Sequence, residues 1–404
     1  MTDYKYIQRC IEGVLSQTTQ QFSAVAVTGP RQSGKSTLLK HSLPDYTYIT
    51  LDDPLIRRQA NDDPVLFLDS IKTPVIIDEF QYAPDLLHYI KIRIDENRAA
   101  KGRFVLTGSQ QFIATKGLSE SLAGRIALLE LPPFCIQESQ EAGRSAEPID
   151  MFVENTLRGC YPELVLNKAI DSRQWYSSYV QTYLERDIRT LYDIGNLRDF
   201  ERVLQMLAAR CSQQLNYSTI SRDVGVSVNT VKRWVSVLEA CRIIYLLPAY
   251  YRNLGQRLVK APKVYFLDSG LVCYLTGLSD RRHLLDGPMA GALFENLCVQ
   301  EALKCALSKG TAPRMSYLRT QNGFEVDLII EADGGSLYPF EFKLSGTPKR
   351  SMAKSLERFI TELEPKNSKA GTVVSIGKSV LPLTRNVQSN NLLEFAIANM
   401  SGFN

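Results

Sequence analysis

The stretch FSAVAVTGPRQSGKSTLLK places two glycines, a lysine and a serine where they could handle phosphate. Residues 22–27 read as a short apolar strand, and a helix is expected from Thr37 onward. Between them, Gly29-Pro-Arg-Gln-Ser-Gly34-Lys35-Ser36 fits the spacing GxxxxGK[ST]. Glycines at those positions let backbone N–H groups wrap a phosphate at a helix N-terminus. Gly29, Gln32, Ser33, Gly34, Lys35, Ser36 and Thr37 are therefore the expected nucleotide-binding set. Lys35 would reach the β- and γ-phosphates, and Ser36 would ligate Mg²⁺. About forty residues on, PVIIDEF supplies a buried strand ending in Asp78-Glu79. Asp78 would bind the same ion, directly or through water, and Glu79 would polarise an attacking water as general base. A third strand, RFVLTGSQ, ends in Thr107 and Ser109, either of which could sense the terminal phosphate. Arg125 precedes a fourth strand and could act as an arginine finger, within the chain or on a neighbour.

A second constellation lies near the C-terminus. EVDLIIEADGGSLYPFEFK reads as two strands around a Gly-Gly turn, with Glu325 and Asp327 opening the first and Glu341 and Lys343 closing the second. Thirteen residues separate Asp327 from Glu341, room for two strands and a turn. Period-two alternation puts Glu341 and Lys343 on one face. Upstream, GPMAGALFENLCVQEALKCAL reads as a helix with Leu293, Phe294, Leu297 and Leu303 on an apolar face and Glu295 near its start. Gly371 to Gly377 would add a further core strand.

The middle of the chain turns helical. Val203, Leu204, Leu207 and Ala208 make one face of a helix. Ser218 to Val224 would form a short helix, Gly225-Val226-Ser227 a turn, and Val228 to Ala240 a second helix capped by Ser227 or Asn229. That second helix would bury Val231, Val235 and Leu238. It would turn Asn229, Thr230, Lys232, Arg233 and Ser236 outward, residue types that contact phosphates and base edges. Two strands with a basic wing, carrying Arg252, Arg257, Lys260 and Lys263, complete a winged-helix pattern. From Arg210 to Tyr265 nine Arg or Lys face two acids, Asp223 and Glu239, a local excess of seven positive charges (nine minus two). Such an excess is a nucleic-acid footprint.

The chain as a whole has 404 residues and a net charge of only +4, with hydrophobic residues at 44% and charged residues at 22%. That length calls for several domains. No apolar run is long enough for a membrane span, and the first residues carry no signal-peptide pattern. Eight scattered cysteines without a CxxC argue against a zinc site and for reduced thiols in a cytoplasmic protein.

GPRQSGKSTLLK, IIDEFQ, LTGSQQF and SLAGRIALLELPPF together resemble a prokaryotic group of AAA-type ATPases in which the core is followed by a C-terminal domain of unknown function. RGCYPEL and YLERDI look like stretches that join the two parts in that group. Glu295, Asp327, Glu341 and Lys343 resemble the PD-(D/E)XK nuclease superfamily, with Val326 where the name expects proline. The resemblance implies that the helix carboxylate of Glu295 lies beside the acidic end of the hairpin. Asp327 and Glu341 would then ligate Mg²⁺ with the Phe342 carbonyl, and Lys343 would orient or deprotonate water. Glu325 is either an extra ligand or a decoy.

The expectation is an α/β protein: a three-layer P-loop ATPase domain over 1–145, a helical linker over 146–205, a winged helix over 206–285 and a restriction-endonuclease-like domain over 286–404. Its partners would be ATP with Mg²⁺ and DNA. A protein partner and a homo-oligomer stay open. The reading is an ATP-hydrolysing protein that binds DNA and cleaves it at the C-terminal site. The alternative is an ATP-driven switch that binds a protein or nucleic acid without cutting.

Overall fold

The computed structural model describes residues 5–108, 124–182, 196–250, 261–312 and 314–401. Internal contacts divide it into two units. One comprises Met1–Phe134 with Ala240–Arg242 and Leu307–Thr311; the other comprises Cys135–Glu239, Ile243–Ala306 and Ala312–Asn404. No described helix is long and apolar enough to cross a membrane. Among the described residues none of the eight cysteines forms a disulfide.

The first unit is built on β1 (Ala24–Thr28), α1 (Lys35–Ser42), β2 (Thr47–Thr50), β3 (Val75–Asp78), α2 (Leu86–Glu96), β4 (Phe104–Thr107) and β5 (Ile126–Glu130). The strands form a parallel sheet in the order β2-β3-β4-β1-β5. Parallel strands covered on both faces read as continuous apolar runs. Accordingly Ala24 and Ala26 pack with Phe80, Leu87 and Ile90 on one side, while Val25 and Val27 pack with Leu38 and Leu39 on the other. Arg9, 5% exposed, donates to the carbonyls of Ser33 at 2.8 Å and Pro132 at 2.7 Å. It thus holds the glycine-rich loop in place from behind.

In the second unit, α3 (Leu197–Ala209) buries Phe200, Val203, Leu204, Leu207 and Ala208. Next come α4 (Tyr217–Val224) and α5 (Val228–Ala240). Gly225, at φ 86°, ends α4, and the Ser227 hydroxyl caps α5 by accepting the Thr230 N–H at 3.0 Å. Val231, Val235 and Leu238 are buried as the spacing predicts, joined by Trp234 and Val237. Then β6 (Ile244–Leu247) pairs antiparallel with β7 (Lys263–Phe266).

The helix α6 (Ala290–Ser308) is buried on every side rather than on one face; even Asn296, Gln300, Glu301 and Lys304 are covered. A six-stranded sheet follows, made of β8 (Met315–Arg319), β9 (Glu325–Glu331), β10 (Leu337–Lys343), β11 (Gly371–Ser375), β12 (Leu381–Pro382) and β13 (Val387–Asn391). Its order is β12-β13-β11-β10-β9-β8. The β8–β9 and β9–β10 pairs are antiparallel, and β10–β11 and β11–β13 are parallel. The β9–β10 turn uses Gly334 and Gly335 at φ 81° and 78°, a conformation open to glycine at little cost. A short helix, α7 (Lys354–Arg358), makes the crossover from β10 to β11, and α8 (Leu392–Ser401) ends the described chain.

Candidate functional site

In the first unit the glycine-rich loop leaves the carboxyl end of β1 and enters α1 at Lys35, as the spacing predicts. Gly29 sits at φ 144°, and a Cβ there would meet the Leu131 carbonyl oxygen at 2.2 Å. Only glycine fits that approach. Gly34, at φ 93°, turns the chain into the helix. Gln32 takes φ 63°, Ser33 is buried, and Ser36 and Thr37 open α1. The Lys35 ammonium folds back on the carbonyls of Gly29 at 3.1 Å and Pro30 at 3.0 Å. Burial lowers its pKa to about 8, opposed by the nearby carboxylates of Glu79 and Asp78. Strand β3, two strands from β1 in the sheet, delivers Asp78 to the loop: the Ser36 hydroxyl donates to Asp78 Oδ2 at 2.7 Å.

Glu79 follows at φ 54°, a strained conformation for a non-glycine residue. The Gln81 amide donates to its carboxylate. Burial raises the Glu79 pKa, and Lys35 pulls it back. At the end of β4 the Thr107 hydroxyl is buried without a partner, which leaves it available to a ligand oxygen. Ser109, the other residue proposed for that role, lies outside the described residues. Tyr48 was not foreseen: its hydroxyl donates to Asp78 Oδ2, beside Ser36. Its place in β2, next to β3, is what puts it there, and a TYIT strand carries no signal of that pairing.

Arg125, expected as an arginine finger within the chain or on a neighbour, lies away from this chain's own phosphate loop. Its carbonyl accepts the Ala24 N–H at the starting edge of the sheet, whereas the glycine-rich loop follows the finishing edge of β1. A rise of about 3.3 Å per residue puts the two edges roughly 13–16 Å apart. The guanidinium is instead paired with Asp95 at 2.8 Å. We expect Arg125→Ala to hydrolyse ATP within about twofold of the parent. A steady-state assay that found a drop of about 10³-fold would restore the finger, acting on a neighbouring chain.

In the second unit Glu341 and Lys343 are paired, Asp327 bonds the neighbouring Phe342 backbone, and Glu295 lies near enough to feel the Asp327 charge. The β9–β10 ladder pairs Leu328 with Phe340 and stops one residue short of Asp327 and Glu341. Asp327 Oδ2 accepts the Phe342 N–H at 2.9 Å. Lys343 Nζ lies 2.6 Å from Glu341 Oε1, while Glu341 Oε2 is buried with no partner. Burial and the Asp327 charge push Glu341 up to about 8. Lys343 is held charged against its burial by Asp327 and Glu341. Glu295, from α6, is raised to about 7 by burial and by Asp327. Among the described residues no three of these carboxylates bring oxygens within 4.8 Å of one another.

Lys263 was expected on an exposed basic wing, and the structure corrects this. It is 3% exposed and lies 2.8 Å from Glu295 and 2.6 Å from Glu325. Burial works against its charge, but Glu295, Asp327 and Glu325 outweigh it and raise its pKa. Tyr265, two residues on and on the same strand face, donates to Glu295 at 2.6 Å. Asn296 fixes this geometry. Its side chain accepts the Phe266 N–H at 2.8 Å and donates to the Phe266 carbonyl at 3.2 Å, stapling α6 to β7. The period-two pair Lys263 and Tyr265 was the available signal, and it was read as wing instead. The remaining wing residues, Arg252, Arg257 and Lys260, lie outside the described residues. On α5, Asn229, Lys232 and Arg233 are exposed and Thr230 is half-buried, as expected.

Comparison with known proteins agrees with the phosphate site. Residues 21–140 match the family described as AAA domain. Residues 149–282 match a domain of unknown function, DUF8612, and residues 290–395 match another, DUF4143. Among solved structures, the Walker-type ATPase PABY2304 of Pyrococcus abyssi is 14% identical, over 65% of this chain and 94% of its own, at a TM-score of 0.45, too low to add to the geometry. Two uncharacterized mycobacterial proteins, Mb2031c of Mycobacterium bovis and Rv2008c of Mycobacterium tuberculosis, are each 31% identical over 355 residues, which is 87% of this chain and 76% of theirs. With its glycine-rich loop, Asp78-Glu79 strand end and parallel sheet, the chain is a P-loop protein with an AAA domain, and it belongs to the same family as these two mycobacterial proteins.

Proposed function

We propose that this protein is a Mg²⁺-dependent ATPase whose second unit carries a metal-dependent site for cleaving nucleic-acid phosphodiesters. The observation that carries the second half is the buried Glu341 oxygen that has no partner among the described residues, in a carboxyl that feels the charges of Asp327 and Lys343. The order helix, three antiparallel strands, crossover helix, parallel strand supports a restriction-endonuclease-like reading of that unit. The pair α4–α5 followed by the β6–β7 hairpin supports a winged helix. We keep 145, 205 and 285 as the working limits of the four parts.

At the first site the loop N–H groups and Lys35 would hold the β- and γ-phosphates. Ser36 and Asp78 have their oxygens together, which suits Mg²⁺; the ion would neutralise phosphate charge. Glu79 would take the proton of the attacking water once Gln81 releases it, and Thr107 would contact the terminal phosphate. At the second site Asp327 and Glu341, with the Phe342 carbonyl, would hold a divalent ion that stabilises charge on the scissile phosphate. Lys343, half exposed beside Glu341, would orient the attacking water. The α5 residues Asn229, Thr230, Lys232 and Arg233 would grip the DNA.

Cleavage of single- and double-stranded DNA by the parent chain, with Mg²⁺ or Mn²⁺ and with or without ATP, tests the proposal. The splayed carboxylates favour a second reading, an ATP-driven switch that binds a protein or nucleic acid uncut. Intact ATP hydrolysis with no cutting under any condition would establish that reading instead. For the DNA grip, we expect Lys232→Ala and Arg233→Ala each to weaken binding similarly across sequences. Each should also reduce the slope of log affinity against log salt by about 1. An unchanged slope in a fluorescence titration would remove α5 from the interface.

A further inference from the structure

The second-unit carboxylates are not equally free. Glu295 Oε1 accepts from Lys263 at 2.8 Å and from the Tyr265 hydroxyl at 2.6 Å. Glu325 Oε1 is 2.6 Å from Lys263, and its Oε2 accepts from Arg319 at 3.0 Å. These two carboxylates are committed to protein cations. On the hairpin side, Asp327 gives one oxygen to a backbone N–H. Glu341, itself 7% exposed, has one oxygen on Lys343 and the other buried with no partner. An unpartnered carboxylate oxygen in such a place wants a cation.

Lys263 cannot swing away to make room. It is 3% exposed, its ammonium sits 5.4 Å from the centre of the Tyr317 ring, and its strand is stapled to α6 through Asn296. In their ionised forms four carboxylates face three cations: Lys263, Lys343 and Arg319. One negative charge is left over. A single divalent ion turns this into one positive charge, suited to a phosphodiester. A second would pile three positive charges into one buried site.

We propose that the cluster takes one hard divalent cation, such as Mg²⁺ or Mn²⁺, held by Asp327 and Glu341, while the Lys263 ammonium permanently occupies the place a second cation would take between Glu295 and Glu325. The proposal rests on reading the cluster as a metal site. Lys263 then acts through charge and position, not by touching substrate.

The test counts Mn²⁺ by the electron paramagnetic resonance signal of the free ion, in a titration of the nucleotide-free full chain. Asp78→Asn is carried throughout so that the first unit contributes no ion. One Mn²⁺ per chain is expected, falling to none in Asp327→Asn and staying at one in Lys263→Arg and Glu325→Gln. Lys263→Met, with its fold checked by circular dichroism, should take two. Two ions with Lys263 intact, or one in a folded Lys263→Met chain, overturns the role given to Lys263. If Lys263→Met does not fold, Glu325→Gln decides, since loss of the ion there makes Glu325 a ligand and overturns the proposal. No ion at all with Lys263 intact sinks the metal-site reading itself, whatever cleavage assays show.

Discussion

Glu79→Gln will bind ATP about as the parent does and hydrolyse it about 10²- to 10⁴-fold more slowly, the usual contribution of a positioned general base. The two effects separate because different residues carry them. Binding belongs to the loop N–H groups, Lys35 and Ser36, none of which the substitution touches. The amide keeps the shape of the side chain and its contact with Gln81 but cannot accept the water's proton. Glu79 also holds a strained backbone at φ 54°, which aims it past the end of β3. Single-turnover hydrolysis beside a nucleotide-binding titration reads both quantities. A rate within tenfold of the parent would move the base elsewhere. Lost binding would make Glu79 structural.

On the proposed nuclease reading, Asp327→Asn abolishes DNA cleavage, a loss of at least about 10³-fold, the scale of the several kcal/mol a bound metal ion contributes. ATP hydrolysis should be unchanged, because the two sites share no residue. The isosteric amide preserves the volume in the hairpin, so the fold should survive. It cannot, however, supply the negative charge that Asp327 presses on Glu341. Gel assays on the same preparation that measures ATP turnover compare the two directly. Cutting that persists in Asp327→Asn would show that the nuclease-like site is not the cutter.

The elements around both sites were largely readable in the sequence, and particular residues show why. The glycine-rich loop is legible because its glycines answer a local backbone demand: Gly29 has no room for a Cβ. The hairpin is legible because period-two alternation and a Gly-Gly turn are also local. What could not be read depends on which elements become neighbours. Tyr48 reaches Asp78 only because β2 lies beside β3. Arg125 sits away from its own chain's loop because β5 runs parallel to β1, which carries the residue to the starting edge of the sheet. Lys263 looked like wing charge because it follows Arg252, Arg257 and Lys260 in a basic run, and such lysines are usually solvated. A Glu295 on a helix fixed to its strand makes it interior, and beyond the period-two pairing with Tyr265 nothing near Lys263 announces that.

The Asn296 staple also bears on how this chain can be taken apart. A cut at residue 285, the proposed limit between the α4–α5 part and the C-terminal part, runs through the carboxylate cluster. The C-terminal fragment would keep Glu295, Asp327, Glu341 and Lys343 but lose Lys263, Tyr265 and the backbone that Asn296 grips. An inert fragment of that kind would therefore say nothing against the intact site. Any graft of this module onto another protein has to carry β7 along with it.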